Sequence, residues 1–290
     1  MKRTLSTFAA VATFGVTALL VSPLVSPIAA QQDLGRSGTS WRWDGPVSSG
    51  QWFRVFNVNG PVNVTASPDG NVHVSAEKHV RNGGDPSVVH YAVVRSGDGV
   101  TVCALWSDNA TCDERGAHSN NIQTDANDRR RNVEVLFEVQ VPSGVRSGLN
   151  SVNGSIRAMG LSGQVVASTV NGSVRAERIG SPVTANTVNG DVVVSANAGP
   201  LQAETVNGSV NATLGQQGTA AMRFSSVNGT IDITTPPGFN ADVSLSTVNG
   251  SIDSKYSLNY DRHRRHAEGA VGSGGANVSA TTVNGSIRLR

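Results

Sequence analysis

Residues 165–194 read VVASTVNGSVRAERIGSPVTANTVNGDVVV, and in this stretch the tripeptide Val-Asn-Gly appears twice, 18 residues apart. The chain holds it eight times, with its Asn at Asn59, Asn153, Asn171, Asn189, Asn207, Asn228, Asn249 and Asn284. From Asn153 onward the steps are 18, 18, 18, 21, 21 and 35 residues, a spacing that an internal repeat produces and chance does not.

The flanking positions describe the unit. Three residues after each Asn stand Val62, Ile156, Val174, Val192, Val210, Ile231, Ile252 and Ile287, a wholly β-branched column. Ala167 with Val165, Ala185 with Val183 and Ala203 with Leu201 precede the motif at alternate positions, while Ser173, Arg175, Thr184 and Asn186 lie between the apolar ones. Apolar residues at every second position mark strands with one buried face. Each unit is therefore a strand, an Asn-Gly corner, a second strand and a looser return such as Ile179-Gly180-Ser181-Pro182. Gly adopts positive φ without penalty and Asn tolerates it better than most residues, so the dipeptide suits a bend.

Asn-Gly alone predicts a hairpin as readily as a corner. Repeats of constant length with matching columns favour an all-β, β-helix-like solenoid of 18 to 21 residue coils, in which each Val sits on the Val of the next coil. A β-meander or propeller-like sheet is the alternative. Asn171, Asn189 and Asn207 are then expected to stack and to satisfy backbone groups at the bends. Strict alternation would point Val170, Val188 and Val206 outward. Either the corner breaks the parity and buries this column, or an apolar ridge runs along the outside.

The units TVNGSVRA, TVNGDVVV, TVNGSVNA and SVNGTIDI, followed by Gly272-Ser273-Gly274-Gly275 and TTVNGSIRLR, resemble the bacterial putative-adhesin family of β-strand-repeat domains of unknown function. The likeness covers roughly residues 50 to 290. It implies an exported cell-envelope β-solenoid and carries over no catalytic residues, so it informs fold more than function.

Residues 1–30 begin Met-Lys2-Arg3-Thr4, run apolar from Leu5 to Val25, and finish Ser26-Pro27-Ile28-Ala29-Ala30. A basic start, an apolar middle and small residues at the junction make a secretory signal peptide, with cleavage expected after Ala30. An uncleaved anchor is the alternative, since the run is about long enough to span a bilayer. The mature chain is expected to be periplasmic, cell-surface or secreted, without stable membrane insertion. Residues 31–50, with Trp41 and Trp43, read as a linker or cap. Residues 51–147 hold alternating runs at Asn71 to Lys78, Val88 to Arg95, Gly99 to Trp106 and Asn132 to Val141, expected as an amino-terminal sheet that closes one end of the repeat region 148–290. The last strand, Ser286 to Arg290, is expected to be the opposite edge, guarded by Arg288 and Arg290.

Cys103 and Cys112 are the only cysteines. In an exported protein they point to a disulfide closing one loop, whereas a zinc site needs more ligands than this pair. The 23 basic and 21 acidic residues become 21 of each once Lys2 and Arg3 are removed, a balance that argues against nucleic acid as a partner. No nucleophile elbow, phosphate loop or zinc-binding helix motif appears. The acids between Asp108 and Asp128 lack the spacing of a calcium loop and read as solvated. Asp232 and Asp253 occupy one outward column in consecutive repeats and are the one pair that resembles a glycosidase arrangement.

Two polar insertions interrupt the pattern, Ser107 to Arg131 and Lys255 to Gly275. The second carries Arg262, His263, Arg264, Arg265 and His266, a candidate ligand loop for phosphate or acidic glycans and one that lies outside the apolar columns. No cofactor or metal is expected. The reading that results is a non-enzymatic binding or structural module of the envelope, with a polysaccharide or a surface protein as partner. A β-helix carbohydrate-active enzyme is the alternative.

Overall fold

The computed structural model describes residues 32–34, 38–81, 83–118, 132–180, 182–197, 200–215 and 220–290, with only the backbone given for 32–34. The expected leader 1–30 and residues 119–131 of the first insertion lie outside the described residues. Among the described residues the fold is all-β, with two long open sheets of 13 and 11 strands, one small hairpin and a single 3-10 turn at Pro86–Val88.

Each repeat places one strand in each long sheet. Arg146–Asn153, Val165–Asn171, Val183–Asn189, Leu201–Asn207 and Met222–Asn228 pair in parallel, in that order, in the first sheet. Ile156–Met159, Val174–Ile179, Val192–Ala196, Val210–Leu214 and Ile231–Thr234 do the same in the second. A meander would pair consecutive strands antiparallel within one sheet. Here consecutive strands lie in different sheets, and the chain crosses between them at every Asn-Gly.

In-register pairing turns the sequence columns into continuous rows of buried side chains. Val174, Val192, Val210 and Ile231 follow one another down the second sheet, and Ala167, Ala185, Ala203 and Phe224 down the first, none more than 1% exposed. Both rows belong to one core that runs the length of the molecule. Small β-branched residues and Ala fill so thin an interior, which explains the scarcity of aromatic residues.

The final repeat departs from chain order. Asn277–Asn284 lies between Met222–Asn228 and Ala241–Asn249, and Ile287–Leu289 lies between Ile231–Thr234 and Ile252–Ser254. The expectation of a charged edge at Ser286 to Arg290 is therefore corrected: this strand is paired on both sides. Every repeat presents the same columns, so hydrophobic pattern alone cannot tell which repeats are neighbours.

The strands expected as a separate amino-terminal sheet instead extend the two long ones. His90–Ser96, Gly99–Leu105 and Trp52–Phe56 continue the first sheet, while Ser40–Pro46, Asn71–Val80, Val133–Val141 and Val62–Ala66 continue the second. Aromatic rings thicken the core here. Trp41 stacks on Tyr91 at 4.7 Å between centroids, and Tyr91 meets Phe137 edge-on at 6.0 Å. Lys78 is buried in this end, its Nζ donating to the carbonyls of Pro86 at 2.9 Å and Val89 at 2.6 Å.

At the other end the insertion Lys255 to Gly275 covers the stack rather than standing outside it. His266–Val271 pairs antiparallel with Ala241–Asn249 and carries buried Ala267 and Val271. Phe239 is buried in the same core, and Tyr256, Leu258 and Tyr260 pack against it. The Tyr256 hydroxyl lies 2.6 Å from Thr235 Oγ1.

Candidate functional site

The corner is where the repeat acquires a chemical surface, and each residue of Thr-Val-Asn-Gly has its own task there. Thr169, Thr187, Thr205, Ser226, Thr282 and Thr247 point inward and are buried. Each hydroxyl donates to a glycine carbonyl of the adjoining repeat: Thr187 to Gly172 at 2.8 Å, Thr205 to Gly190 at 2.8 Å, Ser226 to Gly208 at 2.9 Å. These hydroxyls satisfy acceptors that the bend leaves without a strand partner. Sequence reasoning assigned that role to Asn and missed the hydroxyl column, although an unbroken Thr/Ser column at a buried parity position was visible.

The Asn side chains do stack, but they satisfy one another. Asn171 Nδ2 donates to Asn153 Oδ1, Asn189 to Asn171, Asn207 to Asn189, Asn228 to Asn207 and Asn284 to Asn228, each at 2.8 Å, and Asn249 to Asn284 at 2.9 Å. Asn59 stands apart, donating to the Val133 carbonyl at 3.1 Å. The ladder is solvent-exposed. Glycine follows because no side chain fits: a Cβ added at Gly172 or Gly190 would overlap the carbonyl oxygen of the glycine in the preceding repeat.

The parity question resolves in favour of the ridge. Val152, Val170, Val188, Val206, Val227, Val283 and Val248 are 37 to 55% exposed, and Val80 is the sole other exposed large apolar residue among the described ones. In spatial order these valines form a line of about six strand spacings, roughly 29 Å long. Strict alternation holds up to the Val, and the bend at Asn-Gly absorbs the parity change, so Asn turns outward beside it. Ser155, Ser173, Asp191, Ser209, Thr230, Ser286 and Ser251 form a polar column on the far side of the glycines. Several of them accept from the backbone of the next repeat, as when Ser209 N donates to Asp191 Oδ1 at 2.8 Å. The edge is thus an apolar ridge beside an amide ladder and a mostly hydroxyl row, with Asp191 its sole charge.

The other candidates fall elsewhere. Arg262, His263, Arg264, Arg265 and His266 are exposed on a turn of the cap. Asp261 Oδ1 accepts from the backbone N–H of Arg265 at 2.6 Å and of His266 at 3.0 Å, and those bonds, that of His266 foremost, hold its carboxyl below the usual range. The Arg264 guanidinium lies 4.2 Å from the Tyr260 ring and donates to the Ile252 carbonyl at 3.3 Å, so part of this basic cluster is built into the end of the stack. Asp232 and Asp253 are not neighbours: the register places Arg288 between them, with Nη1 3.3 Å from Asp232 Oδ2. The carboxylate pair that resembled a glycosidase is thereby separated by a full repeat and a cation.

Cys103 and Cys112 form a disulfide. With Ala92, Leu105 and Ala110 they make a second small core, which Phe56 and Val94 border. Asp113 accepts from the N–H groups of Arg115 and Gly116 and contacts His118 Nε2 at 2.9 Å, the last of these being the main reason its carboxyl is held low. Among the described residues no group of three or more His, Cys, Asp or Glu is placed to hold a metal ion, and no helix is long and apolar enough to cross a membrane.

The chain matches no known protein-family profile and no curated protein. Matches to solved structures cover most of the chain at low identity. A "putative cell adhesion protein" of Clostridium sporogenes is 6% identical with a TM-score of 0.39, covering 86% of this chain and 98% of its own. A "putative adhesin" of Bacteroides fragilis is 12% identical with a TM-score of 0.34, covering 88% and 99% respectively. Another "putative adhesin", from Parabacteroides distasonis, is 10% identical with a TM-score of 0.27, covering 89% and 99%.

Proposed function

We propose that this chain is an exported envelope or surface protein whose repeats form a flattened β-solenoid, and that it binds an extended, repetitive envelope polymer along its corner edge. The observation that carries the reading is the valine ridge, which gathers seven of the eight exposed large apolar residues among the described ones into one line. Exposed apolar surface so concentrated is characteristic of interaction sites. The ridge is one side chain wide and flanked by amides and hydroxyls, which suits a polysaccharide with apolar C–H faces and hydroxyl edges. Both ladders are already hydrogen-bonded along the stack, so the edge is rigid before binding and loses little conformational entropy on contact. A disulfide-closed loop supports the export assignment.

Retention of the purified protein on envelope fractions and insoluble polysaccharides tests the proposal. Val170, Val188 and Val206 changed together to Thr should sharply reduce retention with little change in the denaturation midpoint, because the exposed positions keep their β-branched shape and gain no charge. Full retention by this variant would remove the ridge from the reading. If changing Arg262 and Arg265 to Glu abolishes retention instead, recognition lies in the cap turn. Release of new reducing ends would favour the carbohydrate-active enzyme.

A further inference from the structure

The out-of-order repeat occupies a slot that spans both sheets. Its backbone is bonded on both flanks: Gly229 N donates to Asn284 O and Ile231 N to Ser286 O, each at 3.0 Å, on one side. On the other, Gly285 N donates to Asn249 O at 3.1 Å and Ile287 N to Ser251 O at 3.0 Å. Without residues 277–290 both sheets would be open at this level, and the Asn ladder would break between Asn228 and Asn249.

The slot also reads the identity of its occupant. Ala280 is fully buried between Phe224 and Leu245, so the small residue fits where two large ones flank it. Arg288 stands between Asp232 and Asp253. Arg157 and Arg175 stand at the corresponding position of two other repeats, while Val193 and Asn211 carry no charge there. Size and charge together fit this repeat to the slot, a combination that Ala167 with Arg175 also offers.

The tether is the remaining element. The cap strand ends at Val271 and the inserted strand starts at Asn277, so residues 272–276 alone carry the chain over the intervening strand. Gly272 and Gly274 adopt φ of 61° and 73°, and Gly275 one of 140°. Ser273 N donates to Asn240 Oδ1 at 2.9 Å and Gly274 N to Val271 O at 3.1 Å to close the turn. Nothing in the slot depends on whether the occupant belongs to the same molecule.

From these three observations we infer that the slot accepts residues 277–290 of a second copy of this chain, and that the protein self-associates by exchanging this repeat. The contacts formed are identical in the closed monomer and the exchanged pair; only the hinge conformation and the local concentration differ. A short tether holds its own repeat at an effective concentration in about the mM range, so exchange prevails where copies are crowded together or refold together.

Variants of the full chain that each add one cysteine, unfolded without reductant so that the Cys103–Cys112 disulfide stays intact, test this. Arg223 and Ser279 face each other across the slot on its outer side. Arg223→Cys and Ser279→Cys proteins, each confirmed β-rich by circular dichroism, are unfolded, mixed at high concentration, refolded and oxidised. A disulfide joining the two introduced thiols, one from each protein, is expected in the dimer fraction. Wild-type protein refolded alone at the same concentration should give a dimer by light scattering, and the oxidised double variant, whose repeat is locked to its own slot, should lose it. A wild-type protein that stays monomeric overturns the inference. So does a dimer that persists in the locked variant, which would place association on another surface.

Discussion

Replacing Thr187 by Val removes one oxygen and leaves the shape of the corner nearly unchanged. Thr187 is 5% exposed and its hydroxyl donates to the Gly172 carbonyl at 2.8 Å. The variant leaves that carbonyl without its donor, which costs about 1 to 3 kcal/mol. The methyl group that replaces the hydroxyl returns about 0.8 kcal/mol. The expected net loss is roughly 0.2 to 2 kcal/mol, centred near 1. Asn189→Ala is the matched comparison. It breaks two amide bonds, to Asn171 and from Asn207, both at 2.8 Å, yet their former partners are exposed and become hydrated. Its loss is about 1 kcal/mol or less. Urea denaturation followed by circular dichroism measures both, with the midpoint shift converted to free energy at constant slope. An Asn189→Ala midpoint as low as that of Thr187→Val, or lower, would refute the claim that the buried hydroxyl, and not the amide ladder, is the stronger fastening of the corner.

Cys103 and Cys112 changed to Ser should lower stability by about 2 to 3 kcal/mol, the entropy expected for a loop of this size, while two alkylatable thiols in the untreated wild-type protein would contradict the disulfide. His73 lies 2.6 Å from Asp44 Oδ1 and 3.0 Å from Asp69 Oδ1, and its hydrogen bonds to Asp44 first and Asp69 second hold its pKa above 6.5. Its contribution is therefore complete below about pH 6.5 and lost as pH rises through the folded value, so His73→Gln should flatten the fall in denaturation midpoint above that pH; unchanged pH dependence would refute this. Deleting 256–268 should expose the end of the core and produce association in light scattering; a monomeric, fully β-rich deletion would show that the cap is dispensable.

Much of the architecture is legible in the residues alone, because a period of two within strands and a period of 18 to 21 between them act locally. The all-β class, the strand boundaries near Val165–Asn171 and Val174–Ile179, the buried β-branched column and the disulfide all follow from short-range pattern or from residue count. The direction of Val170 and its equivalents depends on where the bend takes up the parity change, and only the three-dimensional corner decides that it falls at Asn-Gly. The insertion at 255–275 has the composition of a solvated loop, yet the open end of a stack must be covered, and Tyr256, Leu258 and Tyr260 do so. Neighbour order was not in the pattern at all. Eight similar repeats offer many pairings of nearly equal hydrophobic energy. Ala280 fits between Phe224 and Leu245 and Arg288 between Asp232 and Asp253, but Ala167 and Arg175 offer the same pair, so the short connection 272–276 from the cap strand, which only the tertiary structure positions, completes the choice of 277–289.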